Sequence, residues 1–190
     1  PLRKVKENDQ IIFSESFRCS VTKIIRENSQ SYLILEFKIS VREFYKQIKK
    51  IGFVALPPYI TKKRFLDKSD VKDYQTIFSK HEGAIAAPTA SLHFSKNLIQ
   101  KLKQKGVLIV FITLHVNGAT FLPIRENNIS KHKMHLEYGI ISPEAANIMN
   151  QVKRKGKNLI AVGTTVIRLL ESSKTKEGKI KPFEGETNLF

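Results

Sequence analysis

An unbroken apolar run at residues 107–112 constrains the possible folds more than any other feature of the sequence. It directly follows a segment with helical spacing, which Ser95 can cap at its start and Gly106 can end. A strand without polar alternation is typical of a sheet that is covered on both faces. The run therefore predicts a buried strand that follows a helix.

The same order repeats further along the chain. Pro143 opens a second helical segment, Gly156 closes it, and a second apolar run follows at residues 159–162. A third helix is predicted from the threonines after Gly163 to about Ser172. Alternating helices and strands predict an α/β fold, with a covered mixed sheet and flanking helices.

The first forty residues show a different pattern. Between residues 10 and 38, short apolar runs alternate with polar positions around a turn at residues 28–30, which is typical of antiparallel strands. The lone Cys19 lies in this alternation, and we predict a packed thiol rather than a nucleophile. Ser40 and Glu43 then form a capping box for a helix that ends at Gly52.

The chain is strongly basic, with 33 Lys and Arg against 17 Asp and Glu, a formal net charge of +16 over 190 residues. Summed charge sets the long-range field that attracts a polyanion, so nucleic acid is the predicted partner. The alternative is that lysine clusters, such as residues 101–105, are solvated helix faces. No apolar stretch approaches the roughly 20 residues that span a bilayer, and no signal peptide is recognised. We predict a cytoplasmic protein without membrane contact.

Polar side chains follow the two predicted buried strands. Thr113 and His115 are two residues apart, so on a strand they share one face, at the edge where open α/β sheets bind ligands. Alternatively, His115 is a core histidine. Thr164 and Thr165 begin the third helix, whose free amides suit a carboxylate or phosphate, and Arg168 adds a forked donor. Alternatively, the threonines are ordinary N-caps and Arg168 pairs within its own helix.

A further cluster contains His132, His135 and Glu137. If the chain is extended here, His135 and Glu137 share one face and can orient a substrate or exchange protons. Histidine and carboxylate are also zinc ligands, but their spacing matches no standard metal helix, so no metal is expected. A metal-dependent hydrolase that uses His115, His132 and His135 remains an alternative.

At these positions the chain resembles the S-adenosylmethionine:tRNA ribosyltransferase-isomerases of queuosine biosynthesis. Six motifs resemble those of that family, in the family's order: LPPYI at 56–60, DYQT at 73–76, AAPTASLHF at 86–94, TLHVNGATF at 113–121, MHLE at 134–137, and AVGTT at 161–165 with RLLES at 168–172. The resemblance implies that residues 1–40 are part of an antiparallel β-barrel domain. It implies that residues 41–190 are the α/β catalytic domain, incomplete at its C-terminus.

The resemblance also implies the chemistry. The family transfers the ribosyl part of S-adenosylmethionine, a substrate rather than a recycled cofactor, to 7-aminomethyl-7-deazaguanine at the wobble position of tRNA, and the product is epoxyqueuosine. We hypothesise His115 or His135 as the general acid and base, with Glu137 orienting. The full set of expected catalytic residues is His93, His115, His135 and Glu137. The expected substrate-binding residues are Thr89, Thr113, Thr120, Thr164, Thr165 and Arg168.

The chain departs from the family pattern in two ways, in its sequence after His115 and in its length. Asn117 and Ala119 stand where glycine is usual, and asparagine tolerates left-handed backbone geometry. The family's chain also begins earlier and ends later than these 190 residues. The competing hypotheses are therefore a remnant that binds tRNA without catalysis and a split enzyme, in which a second chain supplies the missing segments.

Overall fold

The computed structural model describes residues 4–27, 30–121 and 134–189, and it divides the chain into two units, residues 1–53 and 54–190. The first unit contains the helix that follows Ser40, whereas the sequence places a domain boundary between residues 40 and 41. That boundary stays a prediction. His132 and part of the predicted turn at residues 28–30 lie outside the described residues.

The first unit is a three-stranded antiparallel sheet followed by one helix. Its elements are β1 (Gln10–Ser14), β2 (Phe17–Glu27), β3 (Gln30–Glu36) and α1 (Val41–Ile51). Alternate residues of β2 are buried, including Cys19, and burial raises the pKa of its thiol. The predicted antiparallel strands and packed thiol are confirmed. The sheet order is β1-β2-β3, and the described residues of this unit do not close it into the expected barrel.

The second unit combines short helices with a second antiparallel sheet. Its elements are α2 (Pro58–Thr61), α3 (Asp70–Asp73), a 3₁₀ helix (Thr89–His93), α4 (Lys96–Gln104), β4 (Thr113–His115), a 3₁₀ helix (Gly118–Phe121), β5 (Glu137–Ile141), α5 (Pro143–Arg154), α6 (Thr164–Ser173) and β6 (Phe183–Thr187). None of the helices in the described ranges is both long and apolar enough to cross a membrane.

Helix starts follow the sequence closely because a serine caps each of three helices. The hydroxyl oxygens of Ser40, Ser95 and Ser142 accept the backbone N–H three residues on, at the starts of α1, α4 and α5. Gly106 and Gly156, with φ of 77° and 64°, follow the ends of α4 and α5 in the left-handed region. The predicted starts of these three helices are confirmed, and so are the predicted stops at Gly52, Gly106 and Gly156.

The two predicted buried strands are wrong for the described structure. Residues 107–112 and 159–162 form no strand, and Leu108 and Ile160 are 69% and 82% exposed. An apolar run becomes a strand only where another strand pairs with it, and among the described residues none does. The α/β class is confirmed, since the unit combines helices and strands. The expected covered mixed sheet is wrong, because both described sheets are antiparallel.

The core of the second unit lies between its sheet, α5 and α6. The buried residues that form it are Ile141, Ala145, Ala146, Met149, Leu169 and Ile180. Leu169 of α6 is fully buried and its side chain lies over Gly139 of β5, where a Cβ would collide with it. Close approach of α6 to the centre of the sheet therefore requires glycine there. This packing covers one face of the sheet with α6.

Candidate active site

The two faces of the sheet β4-β5-β6 separate the predicted catalytic residues. In β4, Thr113 pairs with Ile140 and His115 pairs with Tyr138. Directly paired residues share a face and successive residues alternate, so Thr113, His115 and Tyr138 lie on one face and Glu137 lies on the other. The predicted common face of Thr113 and His115 is confirmed. Glu137 instead belongs to the face covered by α6.

Glu137 is held in a buried network. Its side chain is 4% exposed, and one carboxylate oxygen accepts from Nη1 of Arg168 in a close ion pair. The other oxygen accepts from the backbone N–H of Asn117 at 3.1 Å. The side-chain amide of Asn117 also donates to the carbonyl of Leu136 at 2.9 Å. Glu137 thus ties α6 to the chain that leaves β4, two residues after His115.

These contacts correct two expectations. Arg168 pairs with Glu137 and not within its own helix, while Glu171 pairs with Lys174. Asn117 does not use left-handed geometry, because the non-glycine residue with positive φ in the described chain is Asn8. Its value at this position is the amide contact across to Leu136, which a glycine cannot make.

The start of α6 leaves its first amides without a side-chain cap. Gly163 occupies the N-cap position at φ 93° and ψ 155°, and no side chain makes a capping bond there. Thr164 is exposed and Thr165 half-buried. Because the N-cap is Gly163, the expectation that one of the threonines is an ordinary N-cap is wrong. An uncapped helix start exposes N–H donors and a partial positive charge, which suit an anionic group.

One segment touches both His115 and the start of α6. A Cβ on Gly83 would lie 2.7 Å from Nδ1 of His115, so the glycine backbone lies directly against the imidazole. Ile85 donates its N–H to the carbonyl of Val116 at 2.8 Å, just beyond β4. Further along, the Cβ of Ala90 lies 3.3 Å from the position that a Cβ on Gly163 would take. The segment from Gly83 to Ala90 therefore joins the two predicted polar clusters.

The remaining predicted site residues differ in their exposure to solvent. Thr89 and His93 are exposed on the 3₁₀ helix Thr89–His93, and Thr120 is exposed on the one after β4. His135 is half-buried immediately before β5. Their roles in catalysis and substrate binding stay predictions.

Two residues that the sequence did not single out contact His115. Tyr138 is its neighbour across the sheet, with ring centroids 6.2 Å apart, and Gly83 lies against the Nδ1 edge of the ring. The signal for Tyr138 was its place three residues after His135 and one after Glu137, but strand register was needed to pair it with His115. Within the described ranges, no three His, Cys, Asp or Glu side chains are grouped as metal ligands would be.

Comparison with known proteins gives a consistent family. The family model described as "Queuosine biosynthesis protein" matches residues 1–190. Curated relatives named S-adenosylmethionine:tRNA ribosyltransferase-isomerase include proteins from Roseobacter denitrificans and Ruegeria pomeroyi, each 43% identical over the whole chain and 53% of their own length. The relative from Brucella anthropi is 42% identical over the whole chain and 54% of its length. The chain thus spans about half the length of these relatives.

Proposed function

Because the chain belongs to the queuosine biosynthesis protein family, we propose that it acts in the reaction for which its curated relatives are named, S-adenosylmethionine:tRNA ribosyltransferase-isomerase. In this proposal, S-adenosylmethionine is the ribosyl donor. The acceptor is the aminomethyl group of 7-aminomethyl-7-deazaguanine at the wobble position of tRNA. The products are epoxyqueuosine in tRNA, adenine and methionine.

The observation that carries the proposal is the contact of one segment with two polar clusters. Gly83 lies against the His115 ring and Ala90 lies against Gly163, at the uncapped start of α6. A reaction on a sulfonium nucleoside needs a base beside the ribosyl carbons and donors for the methionine carboxylate. His115 offers the first, and the amides of Thr164 and Thr165 offer the second.

The buried network favours a structural role for Glu137 and Arg168 over the expected catalytic and substrate-binding roles. Their charges satisfy one another, and Glu137 is almost fully enclosed. Because it is enclosed on the opposite face of the sheet, this carboxylate is not positioned to exchange a proton with a substrate on the His115 face. We therefore give both residues a positioning role: they fix the start of α6 relative to the chain after His115. Thr113 shares the face of His115 and is placed to contact the sugar.

The test is release of adenine from S-adenosylmethionine in the presence of precursor-bearing tRNA. His93→Ala, His115→Ala and His135→Ala are compared with His81→Ala, at an exposed histidine to which the proposal gives no role. We expect a loss of at least about 100-fold for the general acid and base, which is the usual contribution of such a group. Unchanged turnover in all three variants, beside an active wild-type protein, would end the assignment.

A second candidate is tRNA binding without catalysis. The observation behind it is the net charge of +16, which attracts a polyanion. The same assay separates the two, because binding of tRNA without adenine release by the chain alone supports the second. Adding the unmatched portion of the Roseobacter denitrificans relative as a separate polypeptide extends the test. Release that appears only in the mixture supports a site completed by a further segment.

A further inference from the structure

The imidazole of His115 is oriented by packing. In the part of the chain that the structure describes, no hydrogen bond is recorded for its ring nitrogens, and the ring is half-buried. A catalytic imidazole usually has one nitrogen fixed by a hydrogen bond, which sets the direction of the other. In this protein, the groups that lie against the ring must set its orientation instead.

The first of these groups is the backbone of Gly83. A Cβ at this position would lie 2.7 Å from Nδ1 and 3.0 Å from Cε1 of His115, which is closer than side chains approach one another. Gly83 also has φ of 138°, a conformation that other residues adopt only with strain. Glycine therefore brings the backbone into direct contact with the Nδ1 edge of the ring.

The second group is the ring of Tyr138. It faces His115 across the β4-β5 pair, with ring centroids 6.2 Å apart and the planes inclined by 34°. Its hydroxyl donates to Oε1 of Glu184 on β6 at 2.9 Å, and this bond raises the pKa of Tyr138. The carboxylate thus anchors the far end of the tyrosine, so that its ring keeps a fixed place beside the imidazole.

We propose that Gly83 and Tyr138 are positioning residues that hold the His115 imidazole by packing, a pair of contacts that we call the clamp, with Glu184 anchoring the tyrosine. The clamp rests on the proposed function for its purpose, because it holds a proton-transfer group in one orientation without a hydrogen bond from the described residues to either ring nitrogen. The clamp restricts the side-chain torsions of His115, about which an exposed histidine would rotate freely. It requires no additional catalytic group.

The direct test follows the His115 ring by NMR in the chain with labelled histidine. Gly83→Ala is compared with Gly185→Ala, a matched control because Gly185 also has positive φ, at 156°, but an added Cβ there meets nothing within 4 Å. We expect Gly83→Ala to shift the ring resonances of His115, with the core methyl resonances retained. Unchanged His115 resonances, or equal shifts in the control, would overturn the clamp.

A second pair of variants covers the case in which Gly83→Ala does not fold. Tyr138→Phe keeps the ring and loses the bond to Glu184, whereas Tyr138→Leu removes the ring. We expect the His115 resonances to move little in the first variant, and to move and broaden in the second. Equal spectra for the two variants would contradict the role given to the tyrosine ring.

Turnover distinguishes failure of the clamp from failure of the proposed function. In an active preparation, Gly83→Ala and Tyr138→Leu should lower kcat about tenfold and leave KM within about twofold, since orientation and not binding is lost. Unchanged kcat with shifted His115 resonances would overturn the positioning role. If the variants shift the His115 resonances but the wild-type protein never releases adenine, the proposed function is contradicted and the packing contact stands.

Discussion

At the scale of single residues, the buried pair of Glu137 and Arg168 has the largest expected energetic effect. Both charges are largely removed from water, with side chains 4% and 21% exposed. Replacing one partner leaves the other charge buried without compensation, which typically costs about 3–5 kcal/mol. We therefore expect Arg168→Gln to lower the free energy of unfolding by about 3 kcal/mol, measured by urea denaturation.

The control for this prediction lies on the same helix. Glu171 and Lys174 form an ion pair with both side chains more than 40% exposed, and exposed pairs contribute about 0–1 kcal/mol. Glu171→Gln should therefore have a small effect. Similar losses for the two variants would show that solvent reaches the Glu137 carboxylate, and the positioning role of the network would fail with it.

Asp70 makes the stability of the second unit sensitive to acid. Its carboxylate accepts from the Arg64 guanidinium and from the backbone N–H of Asp67, and these bonds lower the pKa of Asp70 to about 2. A lowered pKa in the folded state stabilises the protein at pH values above the unfolded pKa of about 3.9. That contribution falls as the pH drops from about 4 toward 2, where the folded carboxylate also takes up its proton.

Replacing Asp70 by Asn should remove this part of the acid sensitivity. We expect Asp70→Asn to unfold at a lower urea concentration than the wild type at pH 5, and the difference to shrink between pH 4 and pH 2. Asp73→Asn, at an exposed position on the same short helix, is the control. A constant difference between Asp70→Asn and the wild type over this range would contradict the prediction.

At the scale of elements, the side chain of Asn150 on α5 makes two hydrogen bonds to the chain before β6. The amide of Asn150 donates to the carbonyl of Ile180 at 2.7 Å and accepts its N–H at 2.9 Å, in buried surroundings. Asn150→Ala leaves two buried backbone groups without partners, and the expected cost is about 3 kcal/mol. Asn147→Ala, at an exposed position on the same helix, should cost less than about 0.5 kcal/mol. Equal urea midpoints would contradict this assignment.

The elements that the sequence predicted correctly are those with local determinants. Ser95 and Ser142 accept N–H groups within their own first turn, and Gly106 and Gly156 act at the next residues after each helix. Such signals are contained in a few consecutive residues and do not depend on the rest of the fold. Helix boundaries were accordingly found to within a residue or two.

The features that the sequence did not predict depend on distant partners. An apolar run at residues 107–112 indicates a buried strand only if another strand pairs with it, and the sequence contains no record of pairing. Register alone decided that Tyr138 faces His115 and that Glu137 lies on the opposite face. The choice of Glu137 as the partner of Arg168 likewise follows from packing of α6 on the sheet, 31 residues away along the chain.

At the scale of the whole molecule, the net charge of +16 separates two interpretations of the lysines. If they are solvated helix faces, they affect solubility and contribute little to a particular partner. If they neutralise phosphates of a bound tRNA, each contact releases counterions and makes affinity depend on salt. Lys101 and Lys103 of α4 and its C-cap residue Lys105 provide a test, because all three are exposed.

Salt dependence of tRNA binding gives the deciding measurement. We expect the logarithm of the association constant to fall with the logarithm of salt concentration with a slope steeper than about −2, which corresponds to three or more neutralised phosphates. Replacing Lys101, Lys103 and Lys105 by Gln should make the slope shallower by about 1 or more if these side chains contact phosphate. A triple replacement of Lys62, Lys63 and Lys68, which are also exposed, removes the same charge at another place. Equal slopes for the two triple variants would indicate a diffuse field and contradict a phosphate contact at α4. A slope near zero for the wild type would contradict tRNA as the partner, because neutralised phosphates cannot be bound without counterion release.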